Sequence, residues 1–154
     1  MFADIDAHDS SIIDTINHYV QPRDTLYMLG DFAWKASRYG HYRQRLRVKE
    51  LHVVAGNHDA NSLRNYVTSY QDMLYRKIEG HWFHMSHYPM ASWRNRTHGS
   101  IHLYGHCHGT IEETLHKAFP GRRAMDVGID HAYMQFGELR PFSLPETLSL
   151  LNAT

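Results

Sequence analysis

Short apolar runs closed by glycine recur along this chain and set its layout. Leu26-Tyr27-Met28-Leu29 runs into Gly30-Asp31, Leu51-His52-Val53-Val54-Ala55 into Gly56-Asn57, and Ile101-His102-Leu103-Tyr104 into Gly105-His106. Runs this short, aliphatic or β-branched and ended by a turn residue, predict buried strands. Ile12, Ile13, Ile16, Tyr19 and Val20 instead fall at helical spacing, behind an acidic start and ahead of Pro22, and predict a helix near residues 8–20. A second helix is expected over residues 38–47, and residues 61–66 begin another whose positive end would face a bound phosphate. Further on the pattern changes: residues 74–78, 82–86, 100–104 and 123–127 read as strands with few helices between them. An α/β fold with a second sheet packed on the first is expected, as one domain over residues 1–154.

Polar residues stand where the strands end. In open α/β folds the ligand crevice lies beyond the carboxyl ends of the strands, so side chains placed there converge from distant parts of the chain. Asp31, Asn57, His87 in Ser86-His87-Tyr88-Pro89, and His106 and His108 in Gly105-His106-Cys107-His108-Gly109 occupy such places. Oxygen and imidazole donors without thiolate suit Mn, Fe, Co, Ni or Zn ions and argue against a structural zinc held by four cysteines. A carboxylate can bridge two ions roughly 3.5 to 4 Å apart, a pair that clamps the attacking and leaving oxygens of a phosphoryl displacement. Asp31 is the natural bridge. A lone buried histidine is more often core than ligand, so the weight lies on the order of the set: Gly-Asp, Gly-Asn-His-Asp, Ser-His-Tyr-Pro, then Gly-His-Cys-His-Gly.

In that order the chain resembles the calcineurin-like metallophosphoesterase family, whose usual series is D-x-H, G-D, G-N-H-[DE], H and G-H-x-H. The stretch from Asp24 to Phe32, the run from Ser86 to Met90 with Trp93 behind it, the run from Gly99 to His106, and the tail Met125-Asp126-Val127-Gly128-Ile129-Asp130 with Arg140-Pro141-Phe142 look like its small bacterial and phage branch. The resemblance implies a four-layer α/β/β/α sandwich of two mixed sheets. It implies two divalent metal ions, with Asp31 bridging, Asn57, His87 and His106 completing the second site, and His108 belonging to the first. His58 would be the catalytic imidazole and Asp59 its orienting carboxylate, consistent with a histidine tuned for proton transfer near neutral pH. The implied reaction is hydrolysis of a phosphomonoester or phosphodiester by a metal-activated hydroxide. The substrate, a nucleotide, nucleic acid or other phosphate ester, is not legible.

The family's first motif is where the chain departs. Asp6-Ala7-His8 spells D-x-H but follows only Met1-Phe2-Ala3-Asp4-Ile5. In one reading residues 2–5 are a shortened first strand and Asp6 and His8 are ligands. Against it, strands usually need about five residues or more, and this one would carry Asp4 in its interior. In the other, which is favoured, the match is accidental, Asp6 or His8 lies in a helix cap or first turn, and the true motif is missing, as when Met1 is an internal methionine of a longer reading frame. One ion would then remain, and a noncatalytic metal-binding or protein-interaction module becomes the alternative. A third class is a mononuclear hydrolase of non-phosphate esters.

Composition changes this picture little. Sixteen basic residues balance sixteen acidic ones, which argues against nonspecific attraction to nucleic acid or membranes. Of 14 histidines only His58, His87, His106 and His108 fall in the motifs, and the others are expected on the surface or in packing. Cys107 is the single cysteine, which excludes an internal disulfide and fits a reducing, cytoplasmic setting. No run reaches the roughly 20 apolar residues of a membrane span. Tyr88, Trp93, Arg94 and Arg96 follow His87 in a loop with two readings: a cover for the site, Trp93 stacking on a base and an arginine pairing with phosphate, or a solvated basic loop that Trp93 anchors. Asp126 and Asp130 are expected to serve turns and backbone hydrogen bonds.

Overall fold

The computed structural model describes residues 4–153. Helix α1 (Ile5–Tyr19) starts on Asp4, whose carboxylate accepts the Ala7 N–H at 2.7 Å, and Asp6 adds negative charge in the first turn. Both features favour a helix start. Asp6 and His8 therefore sit on a helix, as the second reading of the N-terminal segment expects; the residues 2 and 3 of the alternative strand lie outside the described residues. Asp6 pairs with Arg38 at 2.5 Å, and His8 lies 3.2 Å from Asp9.

Two sheets follow. Strands β1 (Thr25–Met28), β2 (Glu50–Val54) and β3 (Ser69–Gln71) are parallel throughout, in the order β1-β2-β3. The second sheet is mixed: β4 (Met73–Ile78) runs antiparallel to β5 (His81–Ser86), while β5, β6 (Ile101–Tyr104) and β7 (Ala124–Asp126) are parallel. Only the second of the two expected sheets thus mixes directions among the described residues. Among them, too, β1 pairs with β2 alone, and its other edge borders a cavity of about 730 Å³.

Strand alternation sorts the side chains into layers. Leu26, Leu51 and Val53 face α1 and α2 (Tyr39–Arg45), packing on Ile13, Ile16, Tyr39 and Leu46. Leu29 and Val54 face the second sheet and meet Phe83, Met85, Ile101 and Met125, with Leu151 of α5 (Leu144–Ala153) closing that layer. The far face of the second sheet carries Tyr104 and Ala124, covered by Trp93 and Leu115 of α3 (Glu112–Ala118). The layers run α/β/β/α, as expected. Helix α4 (Ile129–Phe136) follows β7 directly.

Helix α5 opens on a reciprocal cap: Glu146 accepts the Ser143 N–H at 2.8 Å, and the Glu146 N–H points back to Ser143 Oγ. Arg140 grips the same carboxylate through both terminal nitrogens, at 3.1 and 2.8 Å. Arg140 above all, helped by Ser143, holds the Glu146 carboxyl down to about 2. A carboxyl depressed in the folded state contributes stability above its unfolded value, roughly 4.3, and that contribution is lost as pH falls towards 2. The expected result is that urea midpoints of Glu146→Gln fall less steeply over this window than those of the native chain. Parallel acid limbs would show that the pair does not stabilise the fold.

Candidate metal centre

Both sheets deliver their polar residues to one end. Asp31 lies just beyond β1, Asn57 beyond β2, His87 directly after β5 and His106 after β6. Two glycines let these loops close on one another. Gly30 has φ +98°, and a Cβ on it would stand 2.3 Å from His87 Nδ1; a Cβ on Gly56 would stand 2.2 Å from Asp31 Oδ1. Asp31, His106 and His108 themselves adopt φ of 58°, 43° and 52°. Left-handed backbone at three non-glycine residues is strain of the kind that functional sites retain.

Buried His87 organises the cluster. Its Nδ1 lies 2.7 Å from the Leu29 carbonyl, an acceptor only, so Nδ1 carries the proton and donates. The remaining Nε2 then presents a lone pair, as in histidines oriented for metal binding. Around it stand Asn57 Oδ1 at 2.9 Å, His106 Nδ1 at 3.1 Å and Asp31 Oδ2 at 3.4 Å. Asp31, His87 and His106 each bring one ligand atom within 4.8 Å of the others. Lone pairs converging in this way are what a divalent cation satisfies, and the oxygen and imidazole donors suit a borderline or hard ion. The residues present therefore fit a metal ion.

His108 stands apart from that trio. Its Nδ1 meets Asp130 Oδ2 at 2.5 Å, which leaves Nε2 as the nitrogen open to a ligand, a carboxylate-histidine pairing that the sequence reading, with Asp130 placed in a turn, missed. Asp126 does serve the backbone: its oxygens accept from Gly109 at 3.0 Å and Gly128 at 2.7 Å, pinning the His106-His108 loop to the end of β7. Burial raises the Asp126 carboxyl, and those two amides oppose the rise. Burial, reinforced by Asp126 and Glu112, also pushes the Cys107 thiol up, away from the thiolate that ligation requires.

Asp59 is a correction. Expected to orient His58, it instead accepts three backbone N–H groups: Oδ2 takes those of Asp31 at 2.8 Å and Gly56 at 2.9 Å, and Oδ1 takes that of Phe32 at 2.8 Å. It ties the β1 loop to the β2 loop. The reason is geometric, because a carboxylate at the base of the turn faces the amides opposite more readily than the ring beside it in sequence. His58 is exposed; its N–H donates to Asp31 Oδ1 at 3.0 Å, and its ring rests on Trp34 with centroids 4.3 Å apart.

Of the two readings of the loop after His87, the buried Trp93 favours the anchor. Trp93 is buried, its indole N–H donating to Ser100 O at 3.1 Å, while Arg96 lies over its ring and Arg94 over Tyr75. Residues 61–65 form a 3₁₀ helix of five residues, too short to carry a helix dipole to the site.

Fold and ligand cluster together define an α/β sandwich with a candidate metal centre at its strand ends. A family model, the calcineurin-like phosphoesterase superfamily domain, matches residues 5–137, and the chain belongs to that family. The fold is shared with the crystal structure of AQ665, a protein of unknown function from Aquifex aeolicus, at 22% identity and a TM-score of 0.72, over 92% of this chain and 84% of that one. No curated protein matches. Among the described residues no helix is long and apolar enough to cross a membrane.

Proposed function

We propose that the chain is a metal-dependent hydrolase of phosphate esters, with Asp31, Asn57, His87 and His106 holding one divalent ion. The observation that carries this reading is the gathering of those four donors, with the backbone N–H of the exposed His58 donating to Asp31 among them. A second position would rest on Asp31 and His108, oriented by Asp130, because Asp6 is paired with Arg38 on α1. A divalent ion bound here supplies Lewis acidity towards phosphoryl oxygens and acidifies water.

The protein's own residues do the rest. Asp31 fixes the His58 backbone relative to the candidate ligands, and the His58 ring rests on Trp34, which lines the cavity. A ring in that place can donate a proton to the leaving oxygen or a hydrogen bond to the phosphoryl group as charge develops. Leu29 holds the His87 tautomer and Asp130 the His108 tautomer, which keeps lone pairs directed inward.

Manganese-reconstituted, tag-free protein is expected to hydrolyse p-nitrophenyl phosphate or its bis-ester. His58→Ala should lose roughly 100-fold in kcat or more, the scale of a lost general acid, with bound metal unchanged. A variant that keeps its rate would remove His58 from the chemistry. Absence of hydrolysis in the native loaded protein would leave the noncatalytic alternative.

A further inference from the structure

The loop that leaves Asp31 is fastened on both sides for three residues and then turns outward. Asp59 holds the Asp31 and Phe32 amides, and Phe32 packs inward, its ring 5.8 Å from Tyr39 and 6.5 Å from Tyr42 in edge contacts. Ala33 also packs against that core. Trp34, next in line, is 76% exposed, the highest exposure of any large hydrophobic side chain among the described residues. It is not a stray surface residue: one face of the indole leans on His58 at 4.3 Å, tilted by 36°. Trp34 and Lys35 line the same cavity as Asp31, His87, His106 and His108. Lys35 makes no ion pair among the described residues. Tyr88, also exposed, lies tilted against His106 with centroids 4.5 Å apart but stands outside that cavity's lining.

A solvent-facing indole braced by His58, with a free cation next to it in sequence, both lining the cavity of the candidate ligands, suits a flat aromatic group carried by an anion. We infer that Trp34 is the platform of a subsite for a planar base, so that the preferred esters are those of nucleotides. Lys35 is placed for a further anionic oxygen of the same molecule. The inference rests on the phosphoester reading and adds the leaving group to it. It also replaces Trp93 by Trp34 as the stacking residue, because only Trp34 has a face left to offer.

The test compares adenosine monophosphate with ribose 5-phosphate, which has the same sugar and phosphate and no base. Calorimetric binding to the manganese-reconstituted protein should favour the nucleotide by about tenfold, the lower range for stacking one base on an aromatic side chain. Trp34→Ala should bring the two affinities together, and Trp34→Phe should keep part of the difference. Equal affinities in the native protein, or a preference that survives Trp34→Ala, overturn the subsite. Equal loss for both ligands in Trp34→Ala overturns it too, and makes Trp34 a support for His58 only. Turnover of the same two compounds separates this inference from the reading beneath it. A base preference in binding with no hydrolysis of either keeps the subsite and removes the hydrolase, whereas hydrolysis of both with equal kcat/KM keeps the hydrolase and removes the subsite.

Discussion

Asp31→Ala is expected to leave well under one tightly bound metal ion per chain and to abolish phosphoester hydrolysis. Altering even a residue that merely supports a metal ligand costs about 10- to 100-fold in affinity or activity, so removing a ligand should cost at least the upper figure. Asp31 supplies the carboxylate of the Asp31, His87 and His106 trio, and its second oxygen holds the His58 amide. One substitution would therefore remove charge from the candidate site and release the His58 backbone from it. Alanine would also be strained at φ 58°, so Asp31→Asn separates the effects: asparagine tolerates the left-handed region and keeps an oxygen but not the charge. Elemental analysis after desalting, beside a phosphoester assay, checks both variants. Full metal retention in Asp31→Ala would move the centre elsewhere.

Asp59→Ala is expected to destabilise the fold by about 3 to 5 kcal/mol. Each hydrogen bond to a charged group contributes roughly 1.5 to 3 kcal/mol, and the three made by Asp59 share one carboxylate, so they do not add fully. That is a large part of the roughly 5 to 15 kcal/mol typical of a domain, and it should lower Tm by about 10 °C. Metal binding should weaken in parallel, because the Asp31 and Gly56 amides that Asp59 clamps belong to the loops carrying the ligands. Calorimetric melting with and without manganese reports both effects. A variant that melts like the native chain yet has lost turnover would restore Asp59 to the orienting role beside His58.

How much of this was legible depended on what each segment spends its residues on. The strands β1, β2 and β4 to β7 announce themselves because their apolar residues fill two cores and a turn ends each run. Strand β3, Ser69-Tyr70-Gln71, is short and polar at an edge and carries no such signal. Helix α3 buries no residue fully, so its sequence has no apolar stripe to show. Helix α5 could have been found: Ser143 and Glu146 stand at the spacing of a reciprocal cap ahead of Leu148, Leu150 and Leu151.

The convergence of Asp31, Asn57, His87 and His106 was readable because strand ends fix where they must go. Partners from far along the chain were not: adjacency suggested His58 for Asp59, whereas its true contacts lie with Asp31 and Phe32 across the cleft. Histidines outside the motifs were also hard to place. His52, His84, His102 and His131 are buried. The His102 ring accepts from Met90 N–H and donates to His84 O, and burial, the main cause, brings its pKa down to about 4, so it packs as a neutral ring.

The one-sided pairing of β1 bears on how the site behaves in time. Asn57 hangs from β2, laddered to a neighbour on each side, but Asp31 hangs from a strand that, among the described residues, is hydrogen-bonded on one side only. Local opening costs least where the fewest contacts must break, so the Asp31 end of the ligand set belongs to the softer part of the sheet. An ion gripped between Asp31, Asn57 and His87 would join that strand both to its neighbour and to the opposite sheet, and whatever binds only the closed arrangement stabilises it. A cation held there would be a fastener as well as a reagent: the strand with one neighbour among the described residues would be held most firmly when the protein is loaded.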